Sequence, residues 1–228
     1  MKTPSLNGSW QVRQLDTYPT LPATVFGCVH IDLLNVGKIP PNLLSLLEIN
    51  DGKQIEIHVS NTTFQDDNFI IKWHICDLQG NSVDDGEIQC HSVAQTDQNV
   101  LTLDCQRNLE ALGERKFIFY ASLEKDGIPV SFNYCTFDRP KHLDLRRPTS
   151  CREVTQNNDT AFDIQVKTSR PTLFTHLELA ETDARFSDNF FFLPANATVN
   201  LTVAPKKQLT LEEVQRQQTH SLHDSYAH

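Results

Sequence analysis

No stretch of the 228 residues is long and apolar enough to form a membrane span, which takes about 20 predominantly apolar residues in a helix. The most apolar run, Leu43 to Leu47, is already broken at Ser45. The start, Met1-Lys2-Thr3-Pro4-Ser5 with Asn7, Gly8 and Ser9 after it, lacks the apolar core of a secretory signal. Basic residues are scarce: 20 Lys and Arg stand against 29 Asp and Glu, a net charge of −9. The longest basic runs are the pairs Arg146-Arg147 and Lys206-Lys207. Neutralising phosphates needs clustered Lys and Arg, so neither nucleic acid nor a membrane is expected as a partner. Eight Gly and 11 Pro are too few for a low-complexity chain. Length sets a further limit, because a closed (β/α)₈ barrel takes about 250 residues. A barrel with accessory domains does not fit.

What is present is mostly a period of two. Ile55, Ile57 and Val59 alternate with Glu56 and His58, and Phe69, Ile71, Trp73 and Ile75 line one side of the next run. Leu101 and Leu103 continue the pattern towards Cys105. Each run fits a half-buried antiparallel strand, with Gln79-Gly80-Asn81 and Asp84-Asp85-Gly86 as the turns between them. A second set starts at Phe117, Phe119 and Ala121 and turns at Asp126-Gly127, a hairpin signal. It continues through Ile128–Phe137, Phe162–Val166, Leu173–Leu179 and Val199–Val203. Short strands at this spacing describe two β-sandwiches, divided near residues 108–115, where Leu109-Glu110-Ala111-Leu112 reads as a helical turn. Thr210-Leu211-Glu212-Glu213 has capping-box spacing for one short helix. Residues 1–40, with Pro19, Pro22, Gly27, Gly37 and Pro40, read as irregular.

Candidate functional residues are sparse. Asn-x-Ser/Thr occurs at Asn7, Asn61, Asn158, Asn196 and Asn200; the last four are the candidate glycosylation positions. The six cysteines, Cys28, Cys76, Cys90, Cys105, Cys135 and Cys151, include no Cys-x-x-Cys pair. Six cysteines permit 15 pairings; Cys90 with Cys105, on neighbouring expected strands, and Cys135 with Cys151 are the candidate disulfides. Glu178, Glu181 and Asp183, Asp66-Asp67, and Asp84-Asp85 are close in sequence, but a catalytic acid needs a desolvating pocket that nothing here foretells. They are expected to be solvated, and Asp188 to be a turn residue. His220, His223 and His228 read as a tail and not as a metal site. Ser9, Ser187 and Ser221 lack a nucleophile elbow. Trp73 is expected in a core, Trp10 is free to stack on a sugar, and Phe190-Phe191-Phe192 must turn at least one ring outward.

Two segments resemble a known family. Leu6-Asn7-Gly8-Ser9-Trp10-Gln11-Val12, then Pro22 to Leu34 with its Gly27-Cys28-Val29-His30 element, then Gly37-Lys38-Ile39-Pro40, resemble the opening of β-mannosidases of glycoside hydrolase family 2. Phe174 to Leu179, Phe186-Ser187-Asp188-Asn189, Leu209 to Glu213 and Ser221-Leu222-His223-Asp224-Ser225-Tyr226 are similar to that family's C-terminal end. Phe26 stands where the family usually has Pro. The resemblance implies an all-β chain of two immunoglobulin-like β-sandwich domains with a short irregular N-terminal segment. Residues 1–47 would be the remnant of a sugar-binding-like sandwich, 48–110 the first immunoglobulin-like domain and 111–228 the second.

It also implies a loss. The family hydrolyses terminal β-mannosides with two glutamates held about 5–5.5 Å apart, one after an Asn and one in a Ser-Glu-Phe-Gly-like stretch. This sequence contains neither an Asn-Glu nor a Ser-Glu dipeptide, so no catalytic residue carries over. No cofactor or metal is expected. The chain reads as a truncated β-mannosidase-like protein that keeps the accessory domains and is inactive, or else as a carbohydrate- or protein-binding sandwich module that meets glycans or a protein through its exposed faces. The family is lysosomal or secreted, whereas this sequence shows no signal and is compatible with the cytoplasm.

Overall fold

The structure is a computed structural model that describes residues 8–12, 21–25, 43–50, 53–158, 160–180, 182–216 and 218–226, with 8–12, 21–25, 43–46 and 50 described by backbone only. Strands β1 (Gly8–Val12) and β2 (Leu21–Val25) form an antiparallel hairpin. They are followed by β3 (Leu43–Asn50), β4 (Gln54–Asn61), β5 (Asp67–Asp77), β6 (Ser82–Ser92), β7 (Thr96–Asp104), β8 (Phe117–Lys125) and β9 (Ile128–Cys135). These seven make the first sandwich, one sheet in the order β3-β4-β7 and the other β6-β5-β8-β9, antiparallel throughout.

The alternating pattern explains the packing. Ile55, Ile57 and Val59 of β4 face Phe69, Ile71 and Ile75 of β5 and Phe117, Phe119 and Leu123 of β8 in one buried cluster. Trp73 is half-buried and packs against it, with its ring 6.2 Å from Phe119.

Two sequence expectations change here. The division near 108–115 lies inside the first sandwich, because β8 pairs with β5 from Ile70↔Glu124 to Asp77↔Phe117. The helix Gln106–Leu112 is a crossover that brings the chain from β7 to β8, and Leu109 and Leu112 pack against the same core. Gly86, expected in a turn, is mid-strand opposite Trp73. A Cβ there would lie 2.7 Å from the indole Cζ2, so the ring occupies the space a side chain would need. The Asp126-Gly127 hairpin does form, with φ of 51° and 79° between paired Lys125 and Ile128.

The second sandwich comprises β10 (Ser150–Asn158), β11 (Ala161–Thr168), β12 (Thr172–Glu178), β13 (Ala184–Phe186), β14 (Phe191–Leu193), β15 (Thr198–Pro205) and β16 (Gln218–His220). Its sheets run β10-β11-β15-β13 and β14-β12-β16. Phe162, Ile164, Val166, Leu177, Leu193, Leu201 and Val203 fill its core. The helix Leu211–Gln215 plugs this core with Val214, and its Thr210–Glu213 capping box is formed.

A third buried cluster joins the sandwiches. Cys76, Leu78 and Ile118 of the first meet Leu173 and Phe192 of the second, with Leu143 of the connection between them. No helix among the described residues is long and apolar enough to cross a membrane.

Candidate binding face of the first sandwich

Since Phe69, Ile71 and Ile75 point inward, Asn68, Ile70, Lys72 and His74 of β5 are turned to the other side of the sheet β6-β5-β8-β9. Ile70 pairs with Gln89 on β6 and Glu124 on β8. There the sheet carries an open groove of about 520 Å³ lined by Asn68, Ile70, Gln89, His91, Glu124 and the Asp126-Gly127 hairpin. Its polar side chains are held in place. Lys72 Nζ donates to Glu124 Oε2 at 2.7 Å, Ser122 Oγ reaches Glu124 Oε1 at 3.3 Å, and His91 Nδ1 lies 3.0 Å from Asn68 Oδ1. Lys125 pairs with Asp67 beside them. The bond to Glu124 and its charge push the Lys72 ammonium up, and the bond from Lys125 holds the Asp67 carboxyl down. Both ion pairs hold charged donors and acceptors in fixed positions beside the groove.

Towards β9 the same face turns aromatic. His74 stacks on Tyr120 at 5.0 Å, Tyr120 meets Phe132 at 5.8 Å, and Phe192 of the second sandwich covers Tyr134 at 4.8 Å. Phe132 stays 44% exposed at the margin, in line with exposed Val130 and Ile128 on the edge strand. The polar groove residues were legible only as the outward half of an alternation, since nothing in their spacing marks Asn68, Gln89 and Glu124 as neighbours.

Of the expected glycosylation positions, Asn158, Asn196 and Asn200 are exposed, whereas Asn61 is buried. Asn61 is a bracket: its Nδ2 donates to the carbonyls of Gln65 and Ser92, and its Oδ1 accepts from Thr63 N and Oγ1. In the structure Cys90, Cys105, Cys135 and Cys151 are free thiols, as is Cys76. Burial pushes Cys76 and Cys135 up to about 12 and Cys105 to about 11, with Cys135 further raised by Cys105 beside it. Cys90 and Cys105 both lie in the first core with Cys135 packed against it, while Cys151 is exposed on β10 of the second sandwich.

The carboxylates disperse. Asp66 accepts from Ala94 N, Asp183 is held down by its bond to Lys206 at 2.7 Å, and Asp188 accepts from Asn189 N at 2.7 Å, as a turn residue would. Asp84 and Asp85 lie exposed on β6, and Glu178 is 3.7 Å from His220 at the surface. His220 also neighbours His176, whose ring stacks on exposed Phe190. Phe192 is the buried member of the phenylalanine triplet and Phe190, 61% exposed, the outward one. Ser187 Oγ accepts from Thr202 N, and Ser221 caps a turn with Asp224. Asn7, Cys28 and the rest of the Gly27–His30 element, Phe26, Glu181 and His228 lie outside the described residues, as do the side chains of Ser9 and Trp10.

Residues 53–142 match the family model described as the mannosidase Ig/CBM-like domain, and residues 145–225 match the one described as the Ig-fold domain of mannosidases. The chain is a mannosidase-like pair of immunoglobulin-type domains. The junction between the mannosidase domains falls at Leu143, the residue buried between the two sandwiches. Among solved structures, the chain is similar to the β-D-mannosidase of Dictyoglomus thermophilum at 17% identity and a TM-score of 0.67, over 79% of this chain and 22% of that one. It also matches red sea bream transglutaminase at 11% identity and a TM-score of 0.34, over 78% of this chain and 29% of that one. The former likeness shows the fold; the latter carries no argument. No curated protein matches the chain by sequence. The chain thus spans about a fifth of the length of the mannosidase it resembles.

Proposed function

We propose that the chain supplies the accessory sandwiches of a β-mannosidase-like protein and does not itself hydrolyse β-mannosides. The observation that carries this reading is that both mannosidase domain matches, 53–142 and 145–225, are to immunoglobulin-type folds. Support comes also from the carboxyls of the described residues: those with a displaced pKa, Asp67, Asp77, Asp138, Asp183 and Glu213, move downward, opposite to what a general acid requires. The purified chain is expected to release no product from an aryl β-mannoside. Release that persists through repeated chromatography would overturn the reading.

A second reading, a carbohydrate-binding module, is favoured by the groove over Asn68, Gln89 and Glu124 together with the CBM-like match of the sandwich that bears it. Titration with a β-linked manno-oligosaccharide followed by amide NMR is expected to shift β5, β6 and β8, and Gln89→Ala is expected to weaken binding several-fold. Shifts confined to the second sandwich would exclude this groove. Glycosylation, should the chain traverse the secretory route, is proposed at Asn158, Asn196 and Asn200, which are exposed.

A further inference from the structure

The outer face of the sheet β3-β4-β7, on the opposite side of the first sandwich, has an unbalanced charge. None of its three strands contains Lys or Arg, yet they carry Glu48, Glu56, Asp97 and Asp104. Glu48 and Glu56 are direct cross-strand partners, an arrangement of like charges that destabilises an antiparallel pair unless a cation lies between them. His58 follows two residues after Glu56 and so shares its face. Its Nε2 lies 3.1 Å from Glu56 Oε2 and 4.0 Å from Glu48 Oε2. Ligand atoms of the three residues all fall within 4.8 Å of one another. With metal–ligand bonds of about 2.0–2.2 Å, tetrahedral zinc holds its ligands roughly 3.4 Å apart, so small side-chain rotations suffice to close this set around one ion.

The other imidazole nitrogen strengthens the case. His58 Nδ1 is 3.7 Å from Asp97 Oδ2 on β7, which places an outer carboxylate behind the histidine while Nε2 faces the two glutamates. That is the order of parts by which proteins orient a metal-bound imidazole. The side chains of His58 and Glu56 are 21% and 22% exposed, so the site is partly withdrawn from water, while Glu48 at 65% leaves it open to the outside.

We propose that Glu48, Glu56 and His58 bind a divalent cation of the zinc class, with Asp97 orienting the imidazole and a fourth position left to water. An imidazole with two carboxylates suits zinc better than calcium, which takes 6–8 oxygen ligands. The ion would tie β3, the edge strand that leads in from the N-terminal residues, to β4 in the middle of the sheet.

The test is calorimetric titration of the full chain with ZnCl₂ in a non-chelating buffer, beside His58→Ala and Glu56→Gln. One tight site is expected in the unaltered chain, weakened at least tenfold in each variant. Circular dichroism and the metal-free melting temperature confirm that the variants, both changed on an outward face, remain folded. Because the chain has free thiols, the titration is repeated with Co²⁺; the tight site is expected to show no sulfur-to-cobalt charge-transfer band. Absence of saturable binding, equal affinity in His58→Ala, or a thiolate band at the tight site would each overturn the proposal.

Discussion

Asn61 shows how far a motif can mislead at the scale of one residue. Its sequon is real, but the side chain is 1% exposed and makes four hydrogen bonds that close the β4–β5 connection onto the end of β6. Sequence shows the acceptor pattern, while the burial that cancels it depends on Gln65 and on Ser92, 31 positions away. Asn61→Ala would strand the buried carbonyl of Ser92 and the half-buried N–H of Thr63, and we expect a loss of about 1–3 kcal/mol in urea unfolding. An unchanged midpoint would show that water replaces the bracket. The thiols make a second residue-scale prediction. In the unfolded chain Cys76, Cys105 and Cys135 ionise near pH 8.5, whereas in the fold burial defers ionisation to about 12, 11 and 12. Above pH 8.5 the unfolded state therefore binds fewer protons than the native one, and stability must fall as pH rises. Each thiol's contribution is fully present below pH 8.5 and is lost, at up to about 1.4 kcal/mol per pH unit, as pH rises towards 11–12. Urea midpoints from pH 8 to 10 measure it, and the slope should shrink in Cys76→Ala.

At the scale of elements, what was legible is what local chemistry decides. The Asp126-Gly127 hairpin needs two residues at positive φ, and the Thr210–Glu213 box needs two side chains one turn apart; both appear as read. Strand existence was legible for the same reason, since Phe117, Phe119, Ala121 and Leu123 are all fully buried on one side of β8. Partnership was not. A period of two marks a strand without saying which strand it joins, so the helix Gln106–Leu112 read as a boundary when it is a crossover within one sandwich. The groove was illegible for a related reason: Asn68, Gln89 and Glu124 become neighbours only through the β6-β5-β8 order. The capping box offers the element-scale test. Thr210 Oγ1 accepts from Glu213 N at 3.3 Å, and Thr210 N donates to Glu213 Oε2 at 2.7 Å. Thr210→Ala should cost about 1 kcal/mol, read as a lower melting temperature with local loss of amide protection over 211–215. Protection that persists there would mean Val214, fully buried in the second core, holds the turn without its cap.

At the scale of the whole molecule, the question is whether two sandwiches behave as one. Their joint is small and centred on Phe192, 5% exposed, whose ring lies 4.8 Å from Tyr134, 5.6 Å from Tyr120 and 6.0 Å from Phe132. Around it sit Leu78, Ile118, Leu143 and Leu173. Gly80 brings the β5–β6 turn so close to Ala195 that a Cβ there would lie 2.2 Å from the alanine Cβ. The C-terminal turn adds a latch, Tyr226 donating its hydroxyl proton within reach of the carbonyls of Pro140 and Leu143, 3.0 and 3.2 Å away. Each sandwich has its own core, so cooperativity between them depends on this joint alone. Phe192→Ala removes its central ring without entering either core, and buried Phe→Ala changes cost about 3–5 kcal/mol. Calorimetry of the unaltered chain should therefore show one transition, and that of Phe192→Ala two, one for each sandwich. A single transition at a lower temperature would mean that the aliphatic ring of contacts around Phe192 and the Tyr226 latch couple the domains without the aromatic centre, and Tyr226→Phe in the same background would then have to split it.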